Sequence, residues 1–410
     1  MNQGSAALPR SALAALFFAV FVVALGFGVI LPILPLMVER LLVSPDPVGV
    51  ARHTALLTAA FAVAPLATAL PWGRLSDRYG RRPILVLGLG GFSLTLAVSP
   101  LATDLPILYV ARLLNGGFAA AVLPTALALV ADTEVDEARR ARTFGWVTIA
   151  FSLGLLGGPM LGGFASGLDA TALGRTVPSY PQAFPFLLVA STAVVAVVAV
   201  MRFVQRGSPP QGQQARLRSP ARGGEIRLLV LAAIVAGGLG AFEVSLALRS
   251  RDLTIAPQML GLIFAACMVV MLIVQAIAFS PLVKPATTRW LVAPSFAGMG
   301  LGLALTSIAT GSIGLMSATA LVAAAGGLLT PVLAYWVSLI SGRGQGTELG
   351  LQTAAVSLGQ TLGAVSAGLL FEFSDIFGPS LLVPGAMAIA AAIALTLPAR
   401  LAPEAELVRR

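Results

Sequence analysis

Residues 73–83 read Gly73-Arg74-Leu75-Ser76-Asp77-Arg78-Tyr79-Gly80-Arg81-Arg82-Pro83. Five of these eleven residues are charged, in a chain where charged residues make up only 10% of the total. Gly73 and Gly80 permit a tight turn or a close helix approach. Apolar runs flank the stretch near 54–72 and 83–101. A helix needs about 20 apolar residues to cross the hydrocarbon core of a bilayer, and each flank is close to that length. The stretch reads as a polar turn between two membrane-spanning helices.

The same pattern repeats along the chain. Apolar runs fall near 13–36, 54–72, 83–101, 106–130, 144–167, 183–203, 227–248, 258–280, 290–309, 312–339, 347–370 and 378–398, which gives twelve candidate spans. Hydrophobic residues make up 57% of the 410. A soluble chain carries roughly 25% charged residues, so a large soluble enzyme is excluded. In lipid every backbone polar group must pair internally, and unbroken apolar runs of this length do so as helices. An outer-membrane barrel would need short alternating strands. The first run, which contains Pro32 and Pro35, is too long for a cleaved signal and reads as a retained span.

Charge placement orients the spans. With both termini inside, 20 of the 26 basic residues fall on the cytoplasmic side and five outside, with Arg112 within a span. That split follows the positive-inside rule and requires an even number of spans. A formal charge of +9 could suggest nucleic acid, but the basic residues sit in short tracts between apolar runs, without an aromatic-rich basic face. Anionic lipid on the inner leaflet explains them better. The longest polar interruption, residues 204–226, is rich in Pro, Gly, Gln, Ser and Arg and reads as a cytoplasmic linker. It divides the chain into an N-terminal bundle, 1–203, and a C-terminal bundle, 227–410, of six helices each. The lone cysteine, Cys267, forms no internal disulfide and reads as a small buried apolar residue.

Residues alone leave the 73–83 turn with two readings. Asp77 could accept N–H groups at the start of a neighbouring helix, and Arg78, Arg81 and Arg82 could bridge to Asp132 or Glu134. Simple positive-inside anchoring would also account for the arginines. The stretch resembles motif A of the major facilitator superfamily, G-x-L-x-D-R-x-G-R-R. The resemblance implies a conformational latch made of Gly73, Asp77, Arg78, Gly80, Arg81 and Asp132, with Asp77 capping the helix that begins near Gly346.

Arg112 is followed by Asn115 and Gly116 in span four. An arginine in hydrocarbon costs about 2.5–3.5 kcal/mol on insertion scales, and snorkelling relieves part of that. The segment resembles the family's motif B, R-x-x-x-G, whose arginine is linked to proton coupling. Asn115 stands where many members carry glutamine. In span five, Gly154, Gly158, Pro159, Gly162 and Gly163 allow a bend and close helix packing. They resemble motif C, G-x-x-x-G-P-x-x-G-G, which is typical of proton-coupled antiporters. The overall layout resembles the drug/proton antiporter branch, which handles tetracycline and multidrug efflux. The implied fold is all-α, with two pseudo-symmetric six-helix bundles. The second half is more degenerate: 280–285 lacks the acidic latch residue, and Gly350, Ser357, Gly359 and Gly363 echo span five weakly.

Glu243 is the other charge within a span. A carboxylate in apolar surroundings can carry a proton near neutral pH. Four roles stay open for it: proton site, anchor for a cationic substrate, ion-pair partner of Arg112 closing the outer gate, or an interfacial carboxylate facing lipid headgroups. The resemblance implies a cavity lined by spans one, four, seven and ten, with Pro32, Pro35, Arg112, Asn115, Glu243, Tyr335 and Trp336 as candidates; Gln275 in span eight is a further polar candidate. Apolar walls with few polar groups favour amphiphilic or lipophilic substrates. His53, beside Arg52 in an outer loop, has no expected role.

The reading is a proton-coupled antiporter of the bacterial inner membrane that exports lipophilic or amphiphilic compounds. The alternative is a secondary transporter of one metabolite, such as a sugar, organic acid or lipid. No catalytic residue, metal site or cofactor is expected beyond the coupling proton. The expected partners are a small-molecule substrate and membrane lipids, not nucleic acid, and the chain is expected to be monomeric.

Overall fold

The computed structural model describes residues 8–30, 33–44, 47–134, 136–167, 183–205, 222–252, 257–280, 288–340, 345–371 and 387–390. Among them the first six helices are α1 (Arg10–Ile30), α2 (Leu34–Leu41), α3 (Pro47–Tyr79), α4 (Arg81–Val98), α5 (Leu105–Ala119) and α6 (Val122–Thr133). There follow α7 (Glu137–Gly167), α8 (Ala183–Phe203), α9 (Arg222–Asp252), α10 (Pro257–Ala278), α11 (Thr288–Ile308), α12 (Ser312–Ile340) and α13 (Gln345–Phe371). A 3-10 turn, Ser99–Leu101, extends α4.

The eleven spans predicted before residue 371 all fall on these helices. The twelfth, 378–398, lies almost wholly outside the described residues, as do 281–287 and most of the 204–226 linker. The linker is shorter than predicted, because α9 begins at Arg222. Glu225 in its first turn suits the positive end of a helix. Seven described helical stretches are long and apolar enough to cross a membrane, and Ile263–Ala278 and Trp290–Thr306 are apolar but shorter. Large apolar side chains such as Val195 (58% exposed) and Val198 (55%) on α8, and Ile277 (58%) on α10, face outward. That outward face suits lipid.

The chain divides into two units: Met1–Glu134 with Val147–Gln211, and Val135–Trp146 with Gly212–Arg410. In the first, α3 packs on α5, and α8 packs on α1 and α4. Ser93 Oγ donates to Ala190 O at 2.8 Å, tying α4 to α8. In the second, α9 packs on α13, and α12 packs on α10 and α11.

Both units use the same packing device. On α7 a Cβ added at Gly154 would meet Ala24 Cβ at 2.8 Å, and one at Gly158 would meet Gly28 Cα at 2.6 Å, both on α1. On α13, Gly359 lies against the Ala233 carbonyl and Gly363 against the Gly237 carbonyl, both on α9. Each is a pair of glycines four residues apart, on one face of a helix. Glycine lets the backbones touch, and van der Waals packing then holds the helices together in lipid. The weak sequence echo between spans five and eleven is therefore a close structural one.

Span four differs from expectation: it is two helices, α5 and α6, broken at Ala120–Ala121. Pro124 has no N–H to offer the Ala120 carbonyl. The backbone tightens there, and Ala121 N donates to Phe118 O at 3.1 Å, a three-residue step, instead of to Gly117 O.

The glycine steps predict opposite responses to one methyl group. Gly363→Ala should lower the thermal unfolding midpoint of the detergent-solubilised protein, because added bulk in a closed contact costs about 1–3 kcal/mol. Gly90→Ala on α4, where an added Cβ meets nothing within 4 Å, should leave it unchanged or raise it through better helix propensity.

Candidate functional site

The 73–83 stretch forms the end of α3, a one-residue turn and the start of α4. Gly80 is the turn, with φ 93° and ψ 163°, a region essentially closed to residues with a Cβ. Arg81, 7% exposed, is the centre of a polar cluster. Its Nε donates to Asp132 Oδ2 at 2.8 Å and its Nη1 to Asp77 Oδ1 at 2.6 Å. Nη1 also donates to Ser76 Oγ at 2.7 Å, and Ser76 in turn donates to Gly73 O at 3.1 Å. Charge-assisted bonds of this kind are among the strong ones. The cluster therefore joins the end of α3, the start of α4 and the end of α6 through one guanidinium.

Arg78, grouped with Arg81 from sequence, is placed elsewhere: it is exposed, with its guanidinium over the Tyr79 ring at 5.4 Å. Arg82 donates to the Met201 carbonyl near the end of α8. Ser76, which sequence reasoning passed over, is fully buried between Arg81 and Gly73.

Arg112 sits on α5 at 1% exposure. Its Nε donates to Leu57 O on α3 at 3.3 Å, and its guanidinium lies 4.7 Å from the centre of the Phe61 ring. Nη1 and Nη2 have no hydrogen-bond partner. The approach of α3 depends on Gly116, which lies against the Phe61 carbonyl. That carbonyl is available because Pro65, four residues on, has no N–H to bond it.

A second bond between α3 and α5 answers the break in span four. Trp72 Nε1 donates to Gly117 O at 2.8 Å, the carbonyl that Ala121 no longer reaches. The signal in the sequence was Pro124, four residues before which a helix must lose a bond. Trp72 itself looked like the end of an apolar run.

Among the predicted cavity residues whose side chains the structure describes, Glu243 is the exposed one. Asn115 is fully buried and donates to Phe92 O at 3.2 Å and Thr95 Oγ1 at 3.0 Å, tying α5 to α4. Gln275 is fully buried on α10, and Tyr335 and Trp336 are 1% and 7% exposed on α12. Tyr335 meets Phe144 edge-on at 6.2 Å. Polar residues in apolar runs can bond between helices as readily as they can face a cavity, and Asn115 does so. Pro32 lies outside the described residues; Pro35 falls in α2, and Pro159 and Gly163 fall within α7.

Glu243 on α9 lies within electrostatic reach of Cys267 on α10. Cys267 is buried, with its sulfur 4.0 Å from Thr319 O on α12. His53 lies within α3, not in a loop, and its Nδ1 is 3.1 Å from the Tyr109 hydroxyl.

One contact had no forerunner in the sequence analysis. Arg140, near the start of α7, donates from Nη2 to Ser338 O at 2.6 Å. Gln345 Nε2 donates to the same oxygen at 2.9 Å. Cations and donors there satisfy the last carbonyls of α12 and complement its dipole.

The sequence profile of the Major Facilitator Superfamily matches residues 16–242. Multidrug resistance protein 2 of Bacillus subtilis is 27% identical over 370 residues, which is 87% of each chain. The class B tetracycline resistance protein of Escherichia coli is 35% identical over 179 residues, 43% of this chain and 40% of that one. Among solved structures, the human organic anion transporter MFSD10 superposes with a TM-score of 0.73 at 19% identity, covering 94% of this chain and 97% of that one.

Two variants test the α3 contacts. Trp72→Phe keeps the ring but leaves a buried carbonyl unsatisfied, and should destabilise the protein by about 1–3 kcal/mol in a denaturation series. Gly80→Ala forces a Cβ into a disfavoured backbone region and should cost a similar amount, of order 1–3 kcal/mol.

Proposed function

Because the chain belongs to the Major Facilitator Superfamily, we propose that it is a proton-coupled antiporter that exports lipophilic or amphiphilic small molecules by alternating access. The observation that carries this is Glu243, the one charged residue in the largely apolar stretch 228–248 of α9. A carboxylate is expensive at such a position and marks ion or proton pathways. The glycine contacts of α7 on α1 support the antiport reading, since they fall on the stretch that resembles the antiporter motif. The names of the multidrug and tetracycline resistance relatives support an export substrate of drug type.

In this reading the chain lies in the bacterial inner membrane with both termini in the cytoplasm, works as a monomer and needs no cofactor. Glu243, in the second unit, takes a proton from outside, and Arg112, in the first, adds a fixed positive charge to the coupling. The proton must bind the two access states unequally, because a ligand with equal affinity for both shifts nothing. The cluster around Arg81 is the latch that opens and closes between those states.

The test is pH-gradient-driven export in everted vesicles from cells lacking other exporters. Glu243→Gln, a fixed mimic of the protonated form, should lose gradient-driven export by roughly 5- to 150-fold while still exchanging substrate for substrate at equal pH. Full gradient-driven export by the glutamine variant would remove Glu243 from the coupling.

A further inference from the structure

We infer that Arg112, together with Phe27 and Phe61, recognises one anionic group on an aromatic export substrate. The inference rests on the export reading above and names the class of compound carried.

A guanidinium does not lose its proton in proteins. Arg112 is therefore a permanent cation, and it is 1% exposed. Its Nε bonds the Leu57 carbonyl, but Nη1 and Nη2 have no acceptor. Arg81 in the same unit shows how this fold handles a structural arginine: two carboxylates and a hydroxyl accept from its Nε and Nη1, and only Nη2 is left open. Among the described residues no ion pair forms on Arg112. Asn115, one turn on, directs its amide donors to α4, and its Oδ1 accepts no bond from Arg112. A buried charge whose fork of N–H groups is unfilled calls for an anion, and a carboxylate fits two parallel N–H bonds.

The surroundings specify the rest of the ligand. The Phe61 ring lies on the guanidinium at 4.7 Å, which offsets part of the missing counter-charge. Phe61 is only part-buried and pairs with Phe27 of α1, with ring centres 4.8 Å apart. The accessible side of the site is thus aromatic, and the cation lies behind it. A flat aromatic body would stack on Phe27 and Phe61 while its carboxylate displaces the Phe61 ring from the guanidinium. An uncharged analogue leaves the fork unfilled, and a cationic one is repelled, so the site selects by charge. Anion export also suits the energetics of antiport. An anion leaving and a proton entering both carry positive charge inward, so an inside-negative potential drives both.

The probes are 2-naphthoate, 2-naphthamide and 2-naphthylmethylammonium, with binding measured by equilibrium dialysis to the full chain in lipid nanodiscs, against empty discs. Wild type should bind naphthoate about 10- to 100-fold more tightly than the amide, and the ammonium most weakly. Arg112→Gln should bring naphthoate down to the level of the amide, and Arg112→Lys should keep part of the preference. Phe61→Leu should weaken both naphthoate and the amide. Equal wild-type binding of naphthoate and amide, a preference for the ammonium, or no binding of naphthoate overturns the inference, and none of these comparisons depends on a variant folding. The two readings fail separately in proteoliposomes. Proton-driven export without an anion preference overturns this site and leaves the export reading standing. An anion preference without proton coupling does the reverse.

Discussion

A polar group inside a bilayer must find its partner within the protein, and that constraint organises the helices of this chain. No water is available to take up a freed carbonyl or an unpaired N–H. Where the break in span four leaves Gly117 O without the Ala121 N–H, the Trp72 indole donates to it at 2.8 Å. Serine and threonine hydroxyls in the spans mostly turn back on their own helix, as Thr95 does to Gly91 O and Ser99 to Thr95 O. Such bonds keep these side chains from reaching into lipid. Against that background the two unfilled nitrogens of Arg112 and the carboxylate of Glu243 within an apolar stretch stand out. Among the described residues, Arg112 is the arginine with both terminal nitrogens unfilled.

The same constraint explains the glycines. Helices in lipid gain little from burying apolar surface, because the tails are equally apolar. Close backbone contact has to do the work. The Gly154/Gly158 step on α7 and the Gly359/Gly363 step on α13 each let a helix touch the first long helix of its own unit. Gly116 does so for α5 and α3, where it also brings Phe61 under Arg112. The residues that position the charge and those that set the packing are therefore neighbours in one short segment, Arg112 to Gly117.

The helices and their order were largely legible in the sequence, because runs of about 20 apolar residues leave few alternatives. The turn at 73–83 was legible as a turn, but its internal roles were not. Arg78 and Arg81 look alike in the sequence. Only the backbone path through Gly80 turns Arg81 inward to Asp77 and Asp132 and leaves Arg78 on the surface. The cavity candidates were the least legible. Asn115, Gln275, Tyr335 and Trp336 drew notice as polar or aromatic residues in apolar runs, yet all four are buried. Composition marks a residue as unusual in lipid without saying whether it faces a neighbouring helix or a ligand. The weak echo of span five in span eleven hid a close structural match, because the contact depends on two glycines and on what faces them.

The central claim is that substrate leaves as a proton enters. It is tested most directly in proteoliposomes that hold a trapped pH-sensitive dye, with no pH gradient imposed at the start. A transported compound is then set up as an outward or inward concentration gradient across the vesicle wall. The account predicts that protons move opposite to the compound in both cases, and that the dye responds with opposite sign when the gradient is reversed. Protons moving in the same direction as the compound, or compound moving with no dye response, would contradict it.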